Sequence, residues 1–397
     1  MNAIIRNTEQ NSSLINFVFL ISIVFLPLMF ISDGVSKVLA IYGSSFSRIS
    51  LITRFAFETI IVFWIILKVN YSIVKYLTFI FILLVFFLLG QSSIGNINDI
   101  SESFITFNKY IYLFLVYLFL REIIQLSEAQ CNIVFKLLYF LFFINILCVL
   151  CGYMFKINFF EAYYSKEYRF GYNGVFLAPN ESSYIFMSMV SLFYYRAIYE
   201  NKSKVILILS ILASLITGMK AVYLFLILLL LFHAINHMKK KYLFILISFS
   251  ILLFGYLIRY LQSDEFKSLI ALFIRLYEEK GLLHMLLTGR DDLLINESPL
   301  VFKKWTFINY LTGGVNIKIY SIEMDFFDLL LFFGLLGSIL YVFIFFQTFI
   351  NGLLKHAFAK FFIFSILALS FFGGHFLYSP SSAVYFSLVI IYFRMSK

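Results

Sequence analysis

The sequence is poor in charged residues and in residues that interrupt helices. Only 13% of its 397 residues are charged and only four are proline, whereas soluble domains average about 25% charged residues. Hydrophobic residues make up 62% of the chain, which is more than a water-soluble fold can hide from solvent. The composition therefore excludes a soluble globular domain and predicts a membrane protein.

Long apolar runs recur along the whole chain, each close to the 17 to 25 residues that an α-helix needs to cross a bilayer. The runs are continuous rather than alternating, which favours helices over a membrane β-barrel. We predict an all-α polytopic membrane protein with about twelve transmembrane helices, forming a single integral membrane domain over residues 1–397. The predicted spans are 14–31, 50–67, 73–90, 105–124, 132–153, 176–196, 203–218, 219–236, 242–260, 323–350, 358–377 and 379–394.

The net charge of +10 is distributed unevenly over the predicted connections. Lysine and arginine concentrate in alternate segments, such as 202–204 and 239–241, and are sparse in the short segments between them. This asymmetry sets the orientation of membrane proteins and does not indicate nucleic-acid binding. It predicts that both termini are cytoplasmic. The apolar run at 14–31 has no small-residue cleavage site after it, so it is expected to be a first span.

The three cysteines do not indicate a disulfide framework. Cys148 and Cys151 have a spacing that is found in zinc sites, but no second pair of ligands accompanies them, so small packing residues are the favoured interpretation.

Residues 261–322, between the ninth and tenth predicted spans, form the one long predicted connection and are expected to lie outside the cytoplasm. Apolar residues from Phe266 to Tyr277 recur at helical spacing, and Ser263 and Gly281 suit the two ends of a helix. An amphipathic surface helix is therefore expected. It either rests on the bundle or forms a lid over a cavity.

Some polar residues lie within or beside the predicted spans, where each needs a partner or a watery cavity. Arg54 and Glu58 are four residues apart, which suits an internal ion pair, although Arg54 is also close enough to the outer end to reach the interface. His375 follows two glycines at the outer end of its span, where it is either an interfacial residue or part of a site.

Three acidic residues, Glu323, Asp325 and Asp328, enter the tenth predicted span within six residues. Acidic residues suit the positive end of a helix dipole, but three exceed what capping requires. The outer segments also contain isolated cations, which suit an anionic ligand because guanidinium and ammonium groups bind phosphate oxygens. These cations are Arg169, Lys220 and Arg290.

Five short motifs resemble the superfamily of bacterial O-antigen polymerases and O-antigen ligases, over residues 169–380. They are Arg169-Phe-Gly-Tyr, Ala178-Pro-Asn-Glu-Ser-Ser183, Thr217-Gly-Met-Lys220, Leu287-Thr-Gly-Arg290, and Glu323-Met-Asp-Phe-Phe-Asp328 followed by Phe333-Gly-Leu-Leu-Gly337. The ligase branch typically has histidine and asparagine where this chain has Glu323 and Met324, and this departure favours a polymerase.

The resemblance implies a membrane glycosyltransferase that joins oligosaccharide repeat units carried on undecaprenyl diphosphate, at the periplasmic face of the bacterial inner membrane. Glu323 is the expected general base and Asp325 the reserve. The residues expected to bind the diphosphate or the substrate are Arg169, Lys220, Arg290, Asn180 and His375. No cofactor is expected. Asp291 and Asp292 could hold a divalent cation, but no metal is predicted. A protein that regulates chain length is an expected partner.

Two other functions remain open. An O-antigen ligase would transfer finished polysaccharide to lipid A core. A flippase or secondary transporter would move the lipid-linked unit without making bonds, but such carriers tend to be built from two similar halves, and no internal repeat is apparent here.

Overall fold

The computed structural model describes residues 2–43, 48–95, 100–163, 170–237, 274–287, 289–317, 319–353 and 356–396. Across these ranges the chain is mostly helical and contains no β-strand; the only extended pairing within them is an isolated antiparallel bridge between Glu161 and Tyr172. The helices are α1 (Asn2–Ile41), α2 (Ile49–Leu67), α3 (Tyr71–Ser93), α4 (Ile100–Leu120), α5 (Glu128–Phe155), α6 (Pro179–Ile198), α7 (Val205–Ile216), α8 (Lys220–His237), α9 (Leu282–Leu287), α10 (Arg290–Phe302), α11 (Phe307–Thr312), α12 (Asp325–Phe345), α13 (Ala357–Gly373) and α14 (Pro380–Met395).

Seven of the described helical segments are long and apolar enough to cross a membrane. They comprise α2, α3, α5 and α8, the part of α1 from Ser13 onwards, and α4 and α12 together with the short helical turns that follow them. Three shorter apolar helices, α7, α13 and α14, accompany them. The chain is therefore a helical, multi-pass membrane protein. The predicted ninth span, 242–260, and most of the predicted surface helix lie outside the described residues.

Helix α6 has 20 residues but is not one of the seven. Serine and tyrosine lower its hydropathy, and every residue from Ser182 to Tyr195 is buried. Helix α14, which packs against both α4 and α6, is almost as completely buried. A helix surrounded by other helices rather than by lipid does not need an apolar surface all round, which explains why α6 is the least hydrophobic of the long helices near the core.

Helix α1 is longer than predicted. It continues to Ile41 instead of ending near residue 31, because no proline lies between Pro27 and Ile41 and Gly34 packs closely against Val175. Asp33 and Lys37, which lie between the first two predicted spans, are therefore buried helical residues. The Lys37 Nζ donates to Asn173 Oδ1 at 2.6 Å and to the Gly174 carbonyl at 2.7 Å, so its charge is directed into the protein.

Helix α12 is broken at Gly334, whose φ of 65° and ψ of −170° are not helical. Gly313 packs against the break, and Gly90 of α3 packs against Gly313; a Cβ added to any of the three glycines would lie within 2.7 Å of backbone atoms. The Leu331 carbonyl, near the break, accepts a hydrogen bond from the Gly314 N–H at 3.1 Å. A neighbouring segment thus provides a hydrogen-bond donor for a carbonyl group near the break, as is required of backbone polar groups inside a membrane.

The connections of the helices gather at two opposite ends of the bundle. The end at which α6, α12 and α14 begin is called the site end below. There the Tyr172 N–H donates to the Ile216 carbonyl at 3.0 Å, and Gly374 lies against the Glu323 carbonyl. At the opposite end, Leu14 of α1 and Arg394 of α14 line the same cavity. The first and last helices therefore have their outer ends on the same side of the bundle.

Candidate active site

The two aspartates at the start of α12 are completely buried. The Oδ2 atom of Asp325 accepts hydrogen bonds from the backbone N–H groups of Phe376 and Leu377 at 2.8 and 3.1 Å. The Oδ1 atom of Asp328 accepts one from the Ile322 N–H at 2.8 Å. These carboxylates therefore tie the start of α12 to the α13–α14 turn and to the segment that precedes the helix, rather than opening onto the surface.

Glu323 differs from the two aspartates because its side chain is 45% exposed. Its φ of 59° lies in the left-handed region, which is uncommon for a residue with a side chain. The strained conformation turns the carboxylate towards Arg290, the first residue of α10, with 3.3 Å between Oε2 and Nη2. The Nε–H of Arg290 is buried and has no acceptor among the described residues, so this guanidinium retains a donor for a further anionic group.

His375 lies beside this pair, in the turn between α13 and α14. Its φ is 71°, and its Nδ1 is 2.7 Å from the Tyr378 hydroxyl. Burial lowers the pKa of His375, assisted by the charges of Arg290 and Lys109 and opposed by those of Glu323 and Glu181. The imidazole is therefore neutral near pH 7. Gly374, which precedes His375 in the chain, lies against the Glu323 carbonyl, so Arg290, Glu323 and His375 belong to one cluster, which we call the Arg290 cluster.

A second ionic group lies near the Arg290 cluster and was not predicted. Arg54 of α2 contacts Asp33 of α1 at 2.9 Å and Glu181 of α6 at 3.7 Å, and it donates to the Ser381 hydroxyl at the start of α14. The same hydroxyl lies 3.2 Å from Asp33 Oδ2. Since Glu181 also acts on His375 electrostatically, this group connects α1, α2, α6 and α14 to the cluster.

The expected ion pair between Arg54 and Glu58 is absent. Glu58 instead accepts a hydrogen bond from the Asn108 side chain of α4 at 2.7 Å. Spacing along one helix could indicate that Arg54 needed a partner, but it could not identify one from α1 and another from α6. The packing of the helices places Asp33 and Glu181, which are distant from Arg54 in the sequence or on other helices, next to its guanidinium.

The remaining predicted ligands are placed differently. Lys220 begins α8 and donates to the Met285 carbonyl, which links α8 to the segment before α10. Asn180 is in the first turn of α6, half-buried, and its carbonyl accepts from the Ser183 hydroxyl at 2.7 Å. Arg169 lies outside the described residues. Its motif neighbour Gly171 packs against the Thr217 carbonyl, so two of the motifs are adjacent.

A group with the composition of a metal site lies next to Arg290. The ligand atoms of His284, Asp291 and Asp292 lie within 4.8 Å of one another. His284 is buried and its Nδ1 is 2.8 Å from Asp291, while Lys280 forms an ion pair with Asp292 and lowers its pKa. The histidine was missed by sequence reasoning. These contacts also satisfy the three side chains without an ion, and the predicted lack of a metal stays a prediction.

An apolar groove adjoins the acidic start of α12. Its volume is about 410 Å³, and it reaches from the first turn of the helix past the break at Gly334 to the end of α13. Its lining includes Phe326, Phe327, Leu330, Leu335, Ile339 and Phe371. Phe326 follows Asp325 directly in the chain, so an apolar ligand in this groove would have one end close to the Arg290 cluster.

Comparison of the chain with protein-family models, with curated proteins and with solved structures gives no match. The resemblance carried by the short motifs therefore stays a prediction. The geometry of the site end is the remaining indication of function.

The Arg290 cluster combines three functional groups at the site end. Arg290 offers a fixed positive charge, Glu323 a partly exposed carboxylate, and His375 a neutral imidazole. The groove beside them offers apolar surface. This combination suits a substrate that has an anionic group joined to a long apolar tail and that reacts by losing and gaining a proton.

Proposed function

We propose that this protein is a polysaccharide polymerase of the O-antigen type, a membrane glycosyltransferase that joins lipid-linked oligosaccharide repeat units. The observation that carries the proposal is the Arg290–Glu323 ion pair beside His375, at the end of an apolar groove on a multi-pass helical bundle. The order of the short motifs along the chain supports the same assignment.

The donor substrate is a growing sugar chain on undecaprenyl diphosphate. Its isoprenoid tail is apolar and fits the groove along α12, while its diphosphate comes to Arg290. The buried Nε–H of Arg290 supports this assignment because it lacks an acceptor among the described residues. A preorganised cation in a partly dry site stabilises the charge that develops on a leaving diphosphate. Lys220 and Arg169 remain proposed contributors to diphosphate binding, and Asn180 a proposed contact of the sugar.

The proposed reaction moves the growing chain to the next repeat unit. A hydroxyl oxygen of that unit attacks the anomeric carbon of the donor, and the bond between this carbon and the diphosphate oxygen breaks. Undecaprenyl diphosphate leaves with the bonding electron pair, and the hydroxyl proton passes to Glu323. Arg290 binds Glu323 before the donor arrives; when the diphosphate binds to part of the guanidinium, the Glu323 carboxylate is free to accept the hydroxyl proton. The reaction requires neither a nucleotide sugar nor a metal.

Asp325 is the proposed reserve base, but its contacts favour a positioning role. Its Oδ2 holds the backbone of Phe376 and Leu377, next to His375. Its Oδ1 is buried and has no donor among the described residues. Asp325 thus acts on the site through the turn that carries His375 and that contacts the Glu323 carbonyl through Gly374.

We further propose that the site end faces the periplasm of the bacterial inner membrane, with about twelve spans and cytoplasmic termini. Leu14 and Arg394 at the same end of the bundle support an even number of crossings between them. In this orientation residues 261–322 form the long periplasmic loop. The bilayer and a chain-length regulator are the proposed partners.

The test is a reconstitution with defined lipid substrates. Purified protein in liposomes is given undecaprenyl-diphosphate repeat units alone, and the products are separated by size. A ladder of products is expected from the native chain and from the control Glu297→Gln, which changes a carboxylate elsewhere on α10. Glu323→Gln should leave single repeat units.

The same assay distinguishes the rival functions. Product formation only after lipid A core is added would indicate a ligase, and transfer of the unit across the bilayer without new glycosidic bonds would indicate a flippase. Either result would refute the polymerase proposal.

A further inference from the structure

A second cavity lies at the opposite end of the bundle, far from the Arg290 cluster. Its volume is about 690 Å³, and polar side chains form most of its lining. It lies where α2 ends and α3 begins, beside the end of α4 and the last turn of α14. Nothing in the proposed polymerase reaction uses it.

Positive charge exceeds negative charge in this cavity. The charged residues of its lining, in the part of the chain that the structure describes, are Lys68, Arg121 and Arg394 against Glu122, three cations and one carboxylate, which gives a surplus of two positive charges. Glu122 is buried and already serves two of the cations: it pairs with Lys68 and lies 3.7 Å from Arg121. One shared carboxylate cannot neutralise three cations that converge on one space, so the cavity attracts an anion.

The cations also retain donors that the protein uses poorly. Among the described residues, Arg121 contacts Glu122 and the ring of Tyr76, and its one hydrogen-bond acceptor is the Ser72 hydroxyl, at the long distances of 3.3 and 3.4 Å from its two terminal nitrogens. Arg394 donates to the Tyr117 hydroxyl and to the carbonyls of Thr348 and Asn351, the latter two at 2.8 and 3.0 Å, but its buried Nε–H has no acceptor among the described residues. Guanidinium groups with spare donors bind phosphate oxygens in two-point contacts.

The rim of the cavity identifies the source of the phosphate. Leu67, Val69 and Ile124 line it and are 47%, 62% and 43% exposed. Leu67 ends a membrane-spanning helix, so the cavity lies at the depth of lipid headgroups. A soluble phosphate compound would gain nothing from this apolar rim, whereas the acyl chains of a lipid would cover it. Basic pockets between transmembrane helices on the cytoplasmic side are typical sites for anionic lipid headgroups.

We propose that this cavity binds the phosphate headgroup of an anionic phospholipid, held by Lys68, Arg121 and Arg394 with its acyl chains over Leu67 and Ile124. The site is independent of the proposed polymerase activity. A bound lipid here would join the ends of α2, α4 and α14 and supply the negative charge that the protein lacks at this place.

The test is native mass spectrometry of the full chain, delipidated in detergent and titrated with phosphatidylglycerol, with phosphatidylcholine of the same acyl chains, or with inorganic phosphate. We expect phosphatidylglycerol to remain bound, phosphatidylcholine to bind more weakly, and inorganic phosphate not to displace the lipid. Arg121→Gln should weaken phosphatidylglycerol binding about fivefold, since one cation near a membrane surface contributes about 1 kcal/mol. The matched control is Lys202→Gln, which removes an exposed charge at the same end of the bundle but outside the cavity.

Three results would overturn the proposal. They are equal binding of the two lipids, equal weakening by Arg121→Gln and Lys202→Gln, and displacement of the lipid by inorganic phosphate. If Arg121→Gln does not fold, as judged by size-exclusion chromatography, Ser72→Asp provides the second test. It adds a negative charge to the cavity lining beside Arg121 and should also weaken phosphatidylglycerol binding; unchanged binding would count against the site.

Discussion

Replacing Arg290 with glutamine should reduce the polymerisation rate far more than it reduces stability. The side chains of Arg290 and Glu323 are 15% and 45% exposed, so solvent screens their attraction and the pair stabilises the fold by about 0.2–1 kcal/mol. For a chain of this size the expected loss in Tm is about 2 °C at most. A fixed charge opposite a developing anion contributes more: its removal typically costs about 10²–10³ in rate, or about 2.7–4 kcal/mol.

The assay is the initial rate of ladder formation in liposomes, measured beside the Tm of the same preparation. Lys303→Gln is the matched control, because it removes an exposed cation from the other end of α10. The exchange Arg290→Glu with Glu323→Arg separates the two roles: it restores an ion pair, so it should restore stability but not the rate. Recovery of the rate in this double variant, or a rate loss no larger than that of Lys303→Gln, would refute the assignment.

Three further changes test the parts around this pair. Gly374→Ala should displace Glu323 and reduce the rate at least about tenfold, because Gly374 has a φ of +56° and an added Cβ would lie 2.2 Å from the Glu323 carbonyl. Gly352→Ala is the control, since Gly352 is also at positive φ but has open space around it. It should destabilise the fold by only about 1–2 kcal/mol and leave the rate intact. Because the pKa of His375 lies below its usual 6.5, the imidazole stays neutral at pH 6.5 and gains its proton only at lower pH. The added charge beside Arg290 should then reduce the rate on the acidic side of the pH–rate profile. His375→Gln should lack this decrease, and an unchanged decrease would exclude His375 as its source. Asp325→Asn keeps an oxygen that can accept the Phe376 N–H and should retain most activity. Asp325→Ala leaves two buried N–H groups unpaired and should lower stability by about 2–4 kcal/mol in thermal unfolding. An Asp325→Asn variant that is stable but inactive would make Asp325 the base.

The helices could be predicted from the sequence because the hydrophobic runs that lipid requires are continuous and long. The predicted spans inside the described ranges coincide with helices to within a few residues, except at the two ends of α1, which begins at Asn2 rather than near residue 14 and ends at Ile41 rather than near residue 31. That helix extends to Ile41 because the polar residues Asp33 and Lys37 are satisfied by α2 and by the segment around Asn173. Their partners are distant in sequence, so the local pattern favoured a loop.

The site could be predicted only in part, for the same reason. Glu323, Arg290 and His375 were each identifiable by residue type and by their position near predicted span ends. The buried roles of Asp325 and Asp328 depend on backbone N–H groups, which carry no sequence signal. The partners of Arg54 come from α1 and α6, and no spacing rule connects residues that packing alone brings together.

The contact among Gly90, Gly313 and Gly334 constrains how the protein assembles. Gly90 and Gly313 are 223 positions apart in the sequence. Helix α3 therefore acquires its final neighbours only after the chain around α11 has been synthesised. The segment from Phe307 to Val315 must lie in place before α3 and α12 can close on it, since no side chain fits between the backbones there. Synthesis of the final third of the chain therefore completes the packing of its first third.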